Sequence, residues 1–406
     1  MKTTTKLLPL ALAICGLAVM QPAIQAEKEP APSPASKAAK AGNATGTTLL
    51  ASLFAKAPTK NHFVSPYSLH ACLTLLRNGA TGDTRAELDK ALSLSGMPEE
   101  EVQASARALR EAFAADNGVT LETANALWTD DRAAFLPDYV KQQQDVFGAE
   151  VATLDFEDPA TLQKINKWAD EKTHGKITKL FDELSDSSVM VLANAIYFKG
   201  TWQDEFDKKQ TFGSDFTTAA GASVITQFMR RDGTMKGAKR SDLMAVSLPY
   251  TGGKTSMLVM LPAKGTDMGT FVKGMTPEFF SKLRGELRDQ DEDAFLMLPR
   301  FKVECTYDLI PALQAAGINS AFTGKATFDA MSSHKPLFVG NAVHRTFVEV
   351  NEEGTAAAAV TAMDMSDGKA ECSFEFMADR PFAYAIIHEE TGAVMFLGVM
   401  NDPTAK

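Results

Sequence analysis

The segment NEEGTAAAAVTA occupies residues 351–362, between a strand-like run that ends at Val350 and another run that begins at Phe374. From Gly354 to Phe374 it makes a connection of about twenty residues, whereas connections in compact domains are usually about 4–6 residues long. The first half of this connection, GTAAAAVTAM (354–363), contains no charged residue. Because alanine is the strongest helix former, a helical connector is one interpretation of the segment in the resting protein.

A second interpretation is that residues 354–363 can become a β-strand. Small uncharged side chains can enter a sheet whichever face they occupy, whereas burial of an unpaired charge is strongly unfavourable. Glycine at position 354 tolerates the backbone angles needed on both sides of such a transition. The composition of this segment therefore predicts a loop that can insert into an existing sheet.

The composition of the whole chain is that of a globular protein. Hydrophobic residues make up 45% and charged residues 23% of its 406 residues, which provides apolar material for a large core. No internal repeat or break in composition divides the chain after the N-terminal segments. We therefore expect a single domain over residues 43–406.

Residues 1–26 have the pattern of a secretory signal peptide. Lys2 and Lys6 precede an apolar run over 7–20, which is short for a transmembrane helix, and QPAIQA follows over 21–26. We expect cleavage after Ala26 and export to the periplasm or to the extracellular space.

Residues 27–42, EKEPAPSPASKAAKAG, are rich in Pro, Ala and Lys and show no apolar periodicity. This composition predicts a flexible leader outside the fold. Loss of the two signal-peptide lysines makes the mature chain still more acidic than the full chain, whose net charge is −10. Nucleic acid and anionic membranes, which need cationic patches, are therefore not expected as partners.

Four cysteines are too few and too dispersed for a disulfide framework or a metal knuckle. Cys15 lies in the signal peptide, and a lipoprotein signal there is the weaker interpretation because the bulky Ile14 precedes it. Cys72, Cys305 and Cys372 remain. Cys372 lies within the long connection, where it is either a buried small apolar residue or an exposed thiol open to oxidation.

Helical patterns dominate the first half of the chain and strand patterns the second half. Apolar residues recur at helical spacing after Ser65-Pro66, after Pro98 and after Asp158-Pro159. The run VMVLANAIYF (189–198) is apolar on both faces, as expected of a central strand between two layers. This order of elements predicts an α+β fold. Further strand-like runs are SMLVMLP (256–262), FLMLPRFKVE (295–304), FVEV (347–350) and a hairpin made by FAYAII (382–387) and AVMFLGVM (393–400).

The common catalytic motifs are missing from the sequence. There is no Gly-x-Ser-x-Gly elbow, HEETG (388–392) lacks the second histidine of a zinc helix, and GKT (253–255) lacks the earlier glycine of a phosphate loop. The six histidines are scattered, with no two at ligand spacing on one face. We therefore expect neither a metal site nor a cofactor.

The segment NEEGTAAAAVTA resembles the hinge of inhibitory serpins, in which glycine and threonine precede a run of alanines. The resemblance extends in order over about residues 43–403, and the succession of motifs carries it better than any single one. The other matching motifs are NHFVSPYS (61–68), NGATGDT (78–84), INKWADEKTHGKI (165–177), VLANAIYFKGTW (191–202), SLPY (247–250), LPRFKVE (298–304), YDLIPALQAAGI (307–318), ADRPFAYAI (378–386) and FLGVMNDP (396–403).

The resemblance implies an α+β serpin fold with three β-sheets, eight or nine helices and an exposed reactive-centre loop. It also implies a suicide inhibitor that catalyses nothing itself. A target protease attacks the loop and forms an acyl-enzyme, and the freed hinge then inserts into the large β-sheet and carries the protease with it. The implied hinge residues are Glu352, Glu353, Gly354, Thr355, Ala356, Ala357, Ala358 and Ala359.

The resemblance also implies a group of residues that controls the opening of the large sheet. Asn194 stands inside an apolar run, where a buried amide needs partners, and Ser65 also suits a helix N-cap. Trp202 resembles the tryptophan at the end of the sheet where insertion begins. The implied polar cluster under the centre of the sheet consists of Ser65, Ser68, Asn194 and His344.

The reactive bond is predicted from two spacings that differ by two residues. The family spacing counted from Gly354 gives Gly368, and the spacing counted back from Pro381 gives Ala370. Lys369 lies between them and is the one basic residue of the loop, so the leading bond is Lys369–Ala370 and the leading target is trypsin-like. The alternatives, which suit elastase-like proteases, are Gly368–Lys369 and Ala370–Glu371.

The predicted partner is thus a target protease, a serine endopeptidase with cysteine endopeptidases as a second class, and we expect the inhibitor to be a monomer. A non-inhibitory serpin that acts as a binding or chaperone-like protein is the main alternative. The alanine-rich hinge favours inhibition, because non-inhibitory members often carry large, charged or proline residues there. An exported hydrolase is a third class.

Overall fold

The computed structural model describes residues 1, 31–184, 189–355 and 373–405. The predicted signal peptide, hinge residues 356–359, reactive-bond positions 368–371 and Cys372 lie outside the described residues, apart from Met1. One structural unit, Ser33–Lys406, contains all the elements given below.

The described residues contain nine α-helices, six of which come before the apolar strand at Met190–Thr201. Six of the nine carry proline at the first or second helical position, where the missing N–H leaves no helical hydrogen bond unmade. The helices are α1 (Pro34–Lys56), α2 (Pro66–Gly79), α3 (Gly82–Ala91), α4 (Glu99–Ala114), α5 (Pro137–Phe147), α6 (Pro159–Lys172), α7 (Met268–Gly274), α8 (Pro277–Glu286) and α9 (Ile310–Ala315).

Seventeen strands are found in the same part of the chain. They are β1 (His62–Val64), β2 (Val119–Asp130), β3 (Glu150–Leu154), β4 (Met190–Thr201), β5 (Phe212–Thr217), β6 (Ser223–Asp232), β7 (Lys236–Lys239), β8 (Leu243–Pro249), β9 (Thr255–Pro262), β10 (Arg288–Asp289), β11 (Phe295–Pro299), β12 (Phe301–Asp308), β13 (Asn341–Val350), β14 (Gly354–Thr355), β15 (Glu375–Met377), β16 (Phe382–His388) and β17 (Ala393–Met400).

The strands form three sheets. The six-stranded sheet has the order β12-β13-β14-β4-β2-β3, the seven-stranded sheet β1-β17-β16-β9-β8-β7-β10, and the four-stranded sheet β15-β11-β6-β5. Three sheets and nine helices confirm the predicted α+β class and the expected number of elements. The predicted hairpin at the end of the chain is the antiparallel pair β16–β17.

Strand β4 is buried on both faces, as its apolar sequence predicts. Val191, Ala193 and Ala195 pack in a cluster with Trp168 of α6 on one face. The alternate residues, among them Leu192, belong to the core on the other face, towards α2 and the seven-stranded sheet. Because successive side chains of a strand point to opposite faces, a strand between two layers must be apolar at every position.

The prediction that residues 27–42 remain outside the fold was wrong for its second half. Helix α1 begins at Pro34, and the Ser33 hydroxyl caps it by accepting a hydrogen bond from the Ser36 amide at 3.1 Å. Ala35 and Ala39 are buried in a cluster that includes residues of α4. Alanine allows such close helix packing, but its small side chain gives a weak periodic signal in the sequence. The composition of residues 27–42 was therefore that of a linker.

The run 295–304, predicted as one strand, belongs to two sheets. Strand β11 ends at Pro299 in the four-stranded sheet, and β12 begins at Phe301 in the six-stranded sheet. Arg300 lies between them, and its amide donates to the Gln227 carbonyl at 2.8 Å. The chain therefore changes sheets at Arg300, whose amide is held by β6 of the four-stranded sheet.

Within the described ranges, no helix combines the length and the apolarity that a membrane span requires. In the same residues, no three His, Cys, Asp or Glu side chains are grouped as a metal site would need. Cys72 and Cys305 are buried free thiols, and burial raises the pKa of both.

Candidate functional site

Four polar side chains predicted from the resemblance lie together beneath the centre of the six-stranded sheet, and all are fully buried. The Ser65 amide donates to His344 Nε2 at 3.1 Å, and the Ser65 hydroxyl donates to the Met395 carbonyl at 2.6 Å. Asn194 Nδ2 donates to the Ser68 hydroxyl, and Asn194 Oδ1 lies 2.6 Å from His344 Nδ1. We call Ser65, Ser68, Asn194 and His344 the central polar cluster.

The hydrogen bonds fix the tautomer of His344. Nε2 accepts from the Ser65 amide, so the proton is on Nδ1, which donates to Asn194 Oδ1. Burial lowers the pKa of His344 from 6.5 to about 3, because the charged imidazolium would lose its hydration without gaining a carboxylate partner. His344 is therefore neutral near pH 7, and it joins β13 to β4 as a donor to one neighbour and an acceptor from another.

Ser65 has both of the roles that its sequence allowed. Its hydroxyl caps α2 by accepting from the Ser68 amide at 3.1 Å, while its own amide belongs to the central polar cluster. The first turn of helix α2 therefore lies directly under the paired strands β13 and β4.

Asn125 of β2 also belongs to this region, although it was not predicted from the sequence. Its Oδ1 accepts from Asn194 Nδ2 at 2.5 Å. The register places Asn125 beside Asn194 and Asn194 beside His344, so three adjacent strands carry polar side chains at one level of the sheet. The sequence signal was a single asparagine in the half-apolar run LETANALW (121–128).

Two residues of the predicted hinge form a short strand inside the six-stranded sheet. Gly354 and Thr355, which make up β14, pair antiparallel with Thr201 and Gly200 of β4. On its other side Thr355 pairs antiparallel with Val350 of β13. Strand β14 thus lies between β13 and β4 at one end of the sheet.

Away from β14, strands β13 and β4 contact each other directly. Residues 341–346 pair in parallel with residues 191–196, and this stretch includes the level of the central polar cluster. The sheet is therefore closed at its centre and parted at one end, where Gly354 and Thr355 occupy the gap.

Trp202 holds the chain that leads into β14. Its indole Nε1 donates to the Asn351 carbonyl at 2.9 Å, and its amide donates to the Glu353 carbonyl at 2.9 Å. Asn351 Oδ1 in turn accepts from the Gly354 amide at 3.3 Å. The structure thus places Trp202 at the parted end of the sheet, away from the central polar cluster.

Glu352, the first residue of the predicted hinge, is a buried charge with 1% of its surface exposed. Its carboxylate accepts from Arg300 Nε at 2.6 Å and from the Thr211 hydroxyl, and its carbonyl accepts from the Phe206 amide at 3.0 Å. A buried carboxylate needs this ion pair and these hydrogen bonds to offset its lost hydration. The hinge anchor, as we call it, consists of Trp202, Thr211, Arg300, Glu352, Glu353, Gly354 and Thr355. Arg300 and Thr211 were not predicted from the sequence.

Only glycine fits at two positions where β14 meets β4. A Cβ on Gly354 would lie 2.1 Å from the Gly200 carbonyl oxygen, and a Cβ on Gly200 would lie 2.6 Å from Tyr250 Cδ1. The Tyr250 hydroxyl lies 2.8 Å from Thr355 Oγ1. Hinge, strand and tyrosine are therefore packed in direct contact.

Nearly the whole chain after the N-terminal segment matches one family of proteins. A family model described as Serpin (serine protease inhibitor) matches residues 40–403. The chain belongs to the serpin family. This agrees with the motifs read from its sequence, and the family is named for inhibition and not for catalysis.

Individual relatives cover most of this serpin. Serpin B8 of Bos taurus is 36% identical over 353 residues, which span 85% of this chain and 93% of that protein. Leukocyte elastase inhibitor of Bos taurus is 34% identical over 357 residues, 85% of this chain and 94% of that protein. The solved structure of thyroxine-binding globulin complexed with thyroxine has a TM-score of 0.83 at 26% identity and covers 91% of this chain and 100% of its own.

In this serpin, the structure brings together all four residues of the central polar cluster and places Trp202, Glu352, Glu353, Gly354 and Thr355 in one hinge anchor. The hinge residues 356–359 and the positions 368–371 lie outside the described residues, so the predicted reactive bond remains a prediction.

Proposed function

We propose that this serpin is a monomeric suicide inhibitor of serine endopeptidases, with cysteine endopeptidases as a second class of target. The observation that carries the proposal is the position of Gly354 and Thr355 in the gap between β4 and β13. The residues that follow, AAAAVTAM (356–363), are small or uncharged and suit the same gap. A strand extended from β14 would therefore enter the sheet without burying a charge.

The register of β14 supports the role proposed for the central polar cluster. Thr355 pairs with Gly200 and Val350. Continuing both antiparallel pairings by six residues brings position 361 beside Asn194 and His344, which already pair with each other in the resting sheet. Insertion to this depth must break the hydrogen bond between His344 and Asn194. The cluster would therefore resist opening until the loop is cut.

The chemistry of inhibition follows the ordinary course of acyl transfer up to one point. The protease nucleophile attacks the carbonyl of the reactive bond, the amine of the next residue leaves, and an ester or thioester joins protease and inhibitor. Water would then release the protease from a normal substrate. Here the cut frees the hinge, and insertion competes with deacylation, because the inserted strand would gain backbone hydrogen bonds to both β4 and β13.

The target class rests on the loop sequence alone. Lys369–Ala370 remains the leading bond and favours a trypsin-like protease, while the alternatives at Gly368 and Glu371 favour elastase-like enzymes. One relative at 34% identity is named leukocyte elastase inhibitor, which is a reason to include elastase-like enzymes in any test.

We also propose that the protein is exported to the periplasm or the extracellular space, with residues 1–26 removed as a signal peptide. N-terminal sequencing of the protein isolated from its source tests this. A mature N-terminus at Glu27 is expected, and an intact Met1 in the purified protein would contradict export by this route.

The function is tested by incubating the protein with trypsin-like and elastase-like proteases and analysing the products by denaturing electrophoresis and intact mass. We expect a protease–inhibitor complex that survives detergent, together with a C-terminal fragment whose mass locates the reactive bond. Cleavage by every protease without such a complex would support the non-inhibitory alternative. Turnover of peptides or esters that persists through purification would support a hydrolase.

Thr355→Arg separates inhibition from binding of the protease. An arginine at 355 would place a charge in the buried position now hydrogen-bonded to Tyr250, so insertion should fail and the variant should be cleaved as a substrate. Thr217→Arg is the matched control, because Thr217 is exposed on β5 in the four-stranded sheet. It should form the complex as the unaltered protein does.

A further inference from the structure

Tyr250 connects two sheets at the parted end of the six-stranded sheet. It follows β8 of the seven-stranded sheet and makes an isolated antiparallel bridge with Trp202. Its side chain is fully buried, with the ring stacked on Trp202 at 4.6 Å and edge-to-face with Phe198 at 5.2 Å. Packing on two sides therefore fixes the rotamer of Tyr250, and with it the direction of its hydroxyl.

The Tyr250 hydroxyl points towards the side chain of Thr355, the second residue of β14. The two hydroxyl oxygens are 2.8 Å apart, and Thr355 is itself 2% exposed. Burial raises the pKa of Tyr250 far above its ordinary value, so the phenol keeps its proton and can donate. The absence of a side chain at Gly200 lets the ring lie directly beneath the hinge.

We propose that Tyr250 is a positioning residue for loop insertion, whose hydroxyl holds Thr355 in the sheet before any protease arrives. This inference rests on the proposed function. The hydrogen bond exists in the resting protein and would persist in the inserted one, but it is lost whenever the hinge leaves the sheet. Tyr250 therefore favours a hinge already in register with β4 and β13.

The consequence for inhibition is kinetic. After acylation, insertion starts either from an aligned β14 or from a hinge that must first find its register. Loss of one hydrogen bond of ordinary strength shifts the equilibrium between hinge-in and hinge-free states by about two- to tenfold. A freer hinge delays insertion while deacylation continues, so a larger share of inhibitor is cleaved as substrate.

The first test needs no protease. Hydrogen exchange of the native protein is followed by mass spectrometry over residues 350–355 in the unaltered chain, in Tyr250→Phe, in Thr355→Val and in the double variant. Each single change leaves one buried hydroxyl without its partner, so exchange should accelerate about two- to tenfold. In the double variant two apolar groups meet, and its acceleration should be smaller than the product of the single effects.

Tyr384→Phe is the matched control. Tyr384 is also a fully buried tyrosine of the seven-stranded sheet, and its hydroxyl has no hydrogen-bond partner among the residues that the structure describes. Its loss removes a phenol without touching β14, so exchange at 350–355 should not change. A general loosening of the core would affect both tyrosine variants alike.

The second test measures the partition between complex and cleaved inhibitor with a protease that forms the complex. Tyr250→Phe should raise the number of inhibitor molecules consumed per protease by about two- to tenfold, while the rate of the initial attack stays equal or rises. Unchanged exchange in Tyr250→Phe, or equal acceleration in Tyr384→Phe, would overturn the proposal, as would multiplicative effects in the double variant. Failure of the unaltered protein to form any complex would refute the proposed function and leave the exchange result to judge Tyr250.

Discussion

Glu352 and Glu353 are neighbours in sequence, yet their carboxylates lie in different environments. The Glu352 side chain is 1% exposed and paired with Arg300, whose side chain is 17% exposed. The Glu353 side chain is 40% exposed and pairs with Lys208. A buried ion pair leaves an uncompensated charge when one partner is removed, whereas an exposed pair is replaced by water.

Glu352→Gln should therefore lower the free energy of unfolding of the native protein by about 2–3 kcal/mol, because Arg300 keeps its charge in a mostly buried place. Glu353→Gln, the matched control, should cost less than about 1 kcal/mol. Urea unfolding followed by circular dichroism measures both. Equal losses of unfolding free energy in the two variants would show that burial does not strengthen the Glu352–Arg300 pair.

His344 determines a pH dependence at the level of a single residue. The folded protein keeps its imidazole neutral, with a pKa of about 3, whereas an exposed histidine titrates near 6.5. Below pH 6.5 the unfolded chain takes up a proton that the folded chain does not. The stability due to this difference is fully present above pH 6.5 and is lost progressively as the pH falls towards 3.

His344→Gln should remove this contribution, since glutamine can donate and accept hydrogen bonds but does not titrate. Between pH 7.5 and pH 5.0 the unaltered protein should lose about 2 kcal/mol more unfolding free energy than the variant. Urea unfolding of both proteins at the two pH values provides the comparison. Burial also lowers the pKa of His62, His70 and His388, but these residues are common to both proteins and their effects cancel. An identical pH dependence would show that the pKa of His344 is not lowered in the folded protein.

At the scale of elements, β14 determines which side of an inserted strand each loop residue would take. Thr355 faces the core at Tyr250, and side chains alternate along a strand, so position 357 would face the core and position 356 the outer face. The antiparallel register places 356 beside Lys199, which is exposed, and 357 beside Phe198, which is buried.

Ala357→Glu should therefore abolish complex formation and yield a cleaved substrate, because the carboxylate would have to enter the core beside Phe198. Ala356→Glu should impair inhibition far less, since its carboxylate would lie at the outer face near Lys199. The number of inhibitor molecules consumed per protease is measured for each variant. Similar losses in both would show that insertion does not continue the register of β14.

The tolerance of a charge on the outer face of an inserted strand also depends on helix α6, which covers the outer face of β4. Trp168 packs on Val191, Ala193 and Ala195, so the outer face becomes buried as insertion proceeds past the exposed end of the sheet. Charges on the outer face should thus be tolerated near position 356 and excluded further along the loop.

At the scale of the whole molecule, the resting fold contains a parallel strand pair that insertion would replace with two antiparallel pairs. Strands β4 and β13 make a parallel pair over six positions. A new strand between them would make antiparallel hydrogen bonds to both. Under the proposed function the cut frees the hinge to enter this position, so the resting protein should be the less stable of two folded forms.

Cleavage within 368–371 should therefore raise the unfolding temperature. About ten further backbone hydrogen bonds of ordinary net strength amount to about 10 kcal/mol, which corresponds to a rise of roughly 10–20 °C in a domain of this size. Thermal unfolding before and after limited proteolysis measures the change. Thr355→Arg is the control, and it should be cut without becoming more stable; an unchanged midpoint in the cleaved unaltered protein would contradict insertion.

Much of this molecule could be predicted from the order of its residues. The small, uncharged run after Gly354, the two-sided apolar strand at 189–198 and the terminal hairpin follow from local chemistry, because strand period and charge exclusion act over a few neighbouring positions. The central polar cluster could be listed from the resemblance, since each of its members lies within a matching motif.

Contacts between distant segments could not be predicted in this way. Arg300 and Thr211 come to Glu352, Asn125 comes to Asn194, and Tyr250 comes to Thr355 through the pairing of strands that are far apart in sequence. The start of α1 at Pro34 was likewise hidden, because its alanines are identified as buried only when α4 lies against them. The sequence by itself determined that residues 354–363 carry no charge that would oppose their entry into a sheet. The tertiary structure decided that Gly354 and Thr355 lie within one, because only the packing of β4, β13 and Tyr250 creates the gap that they fill.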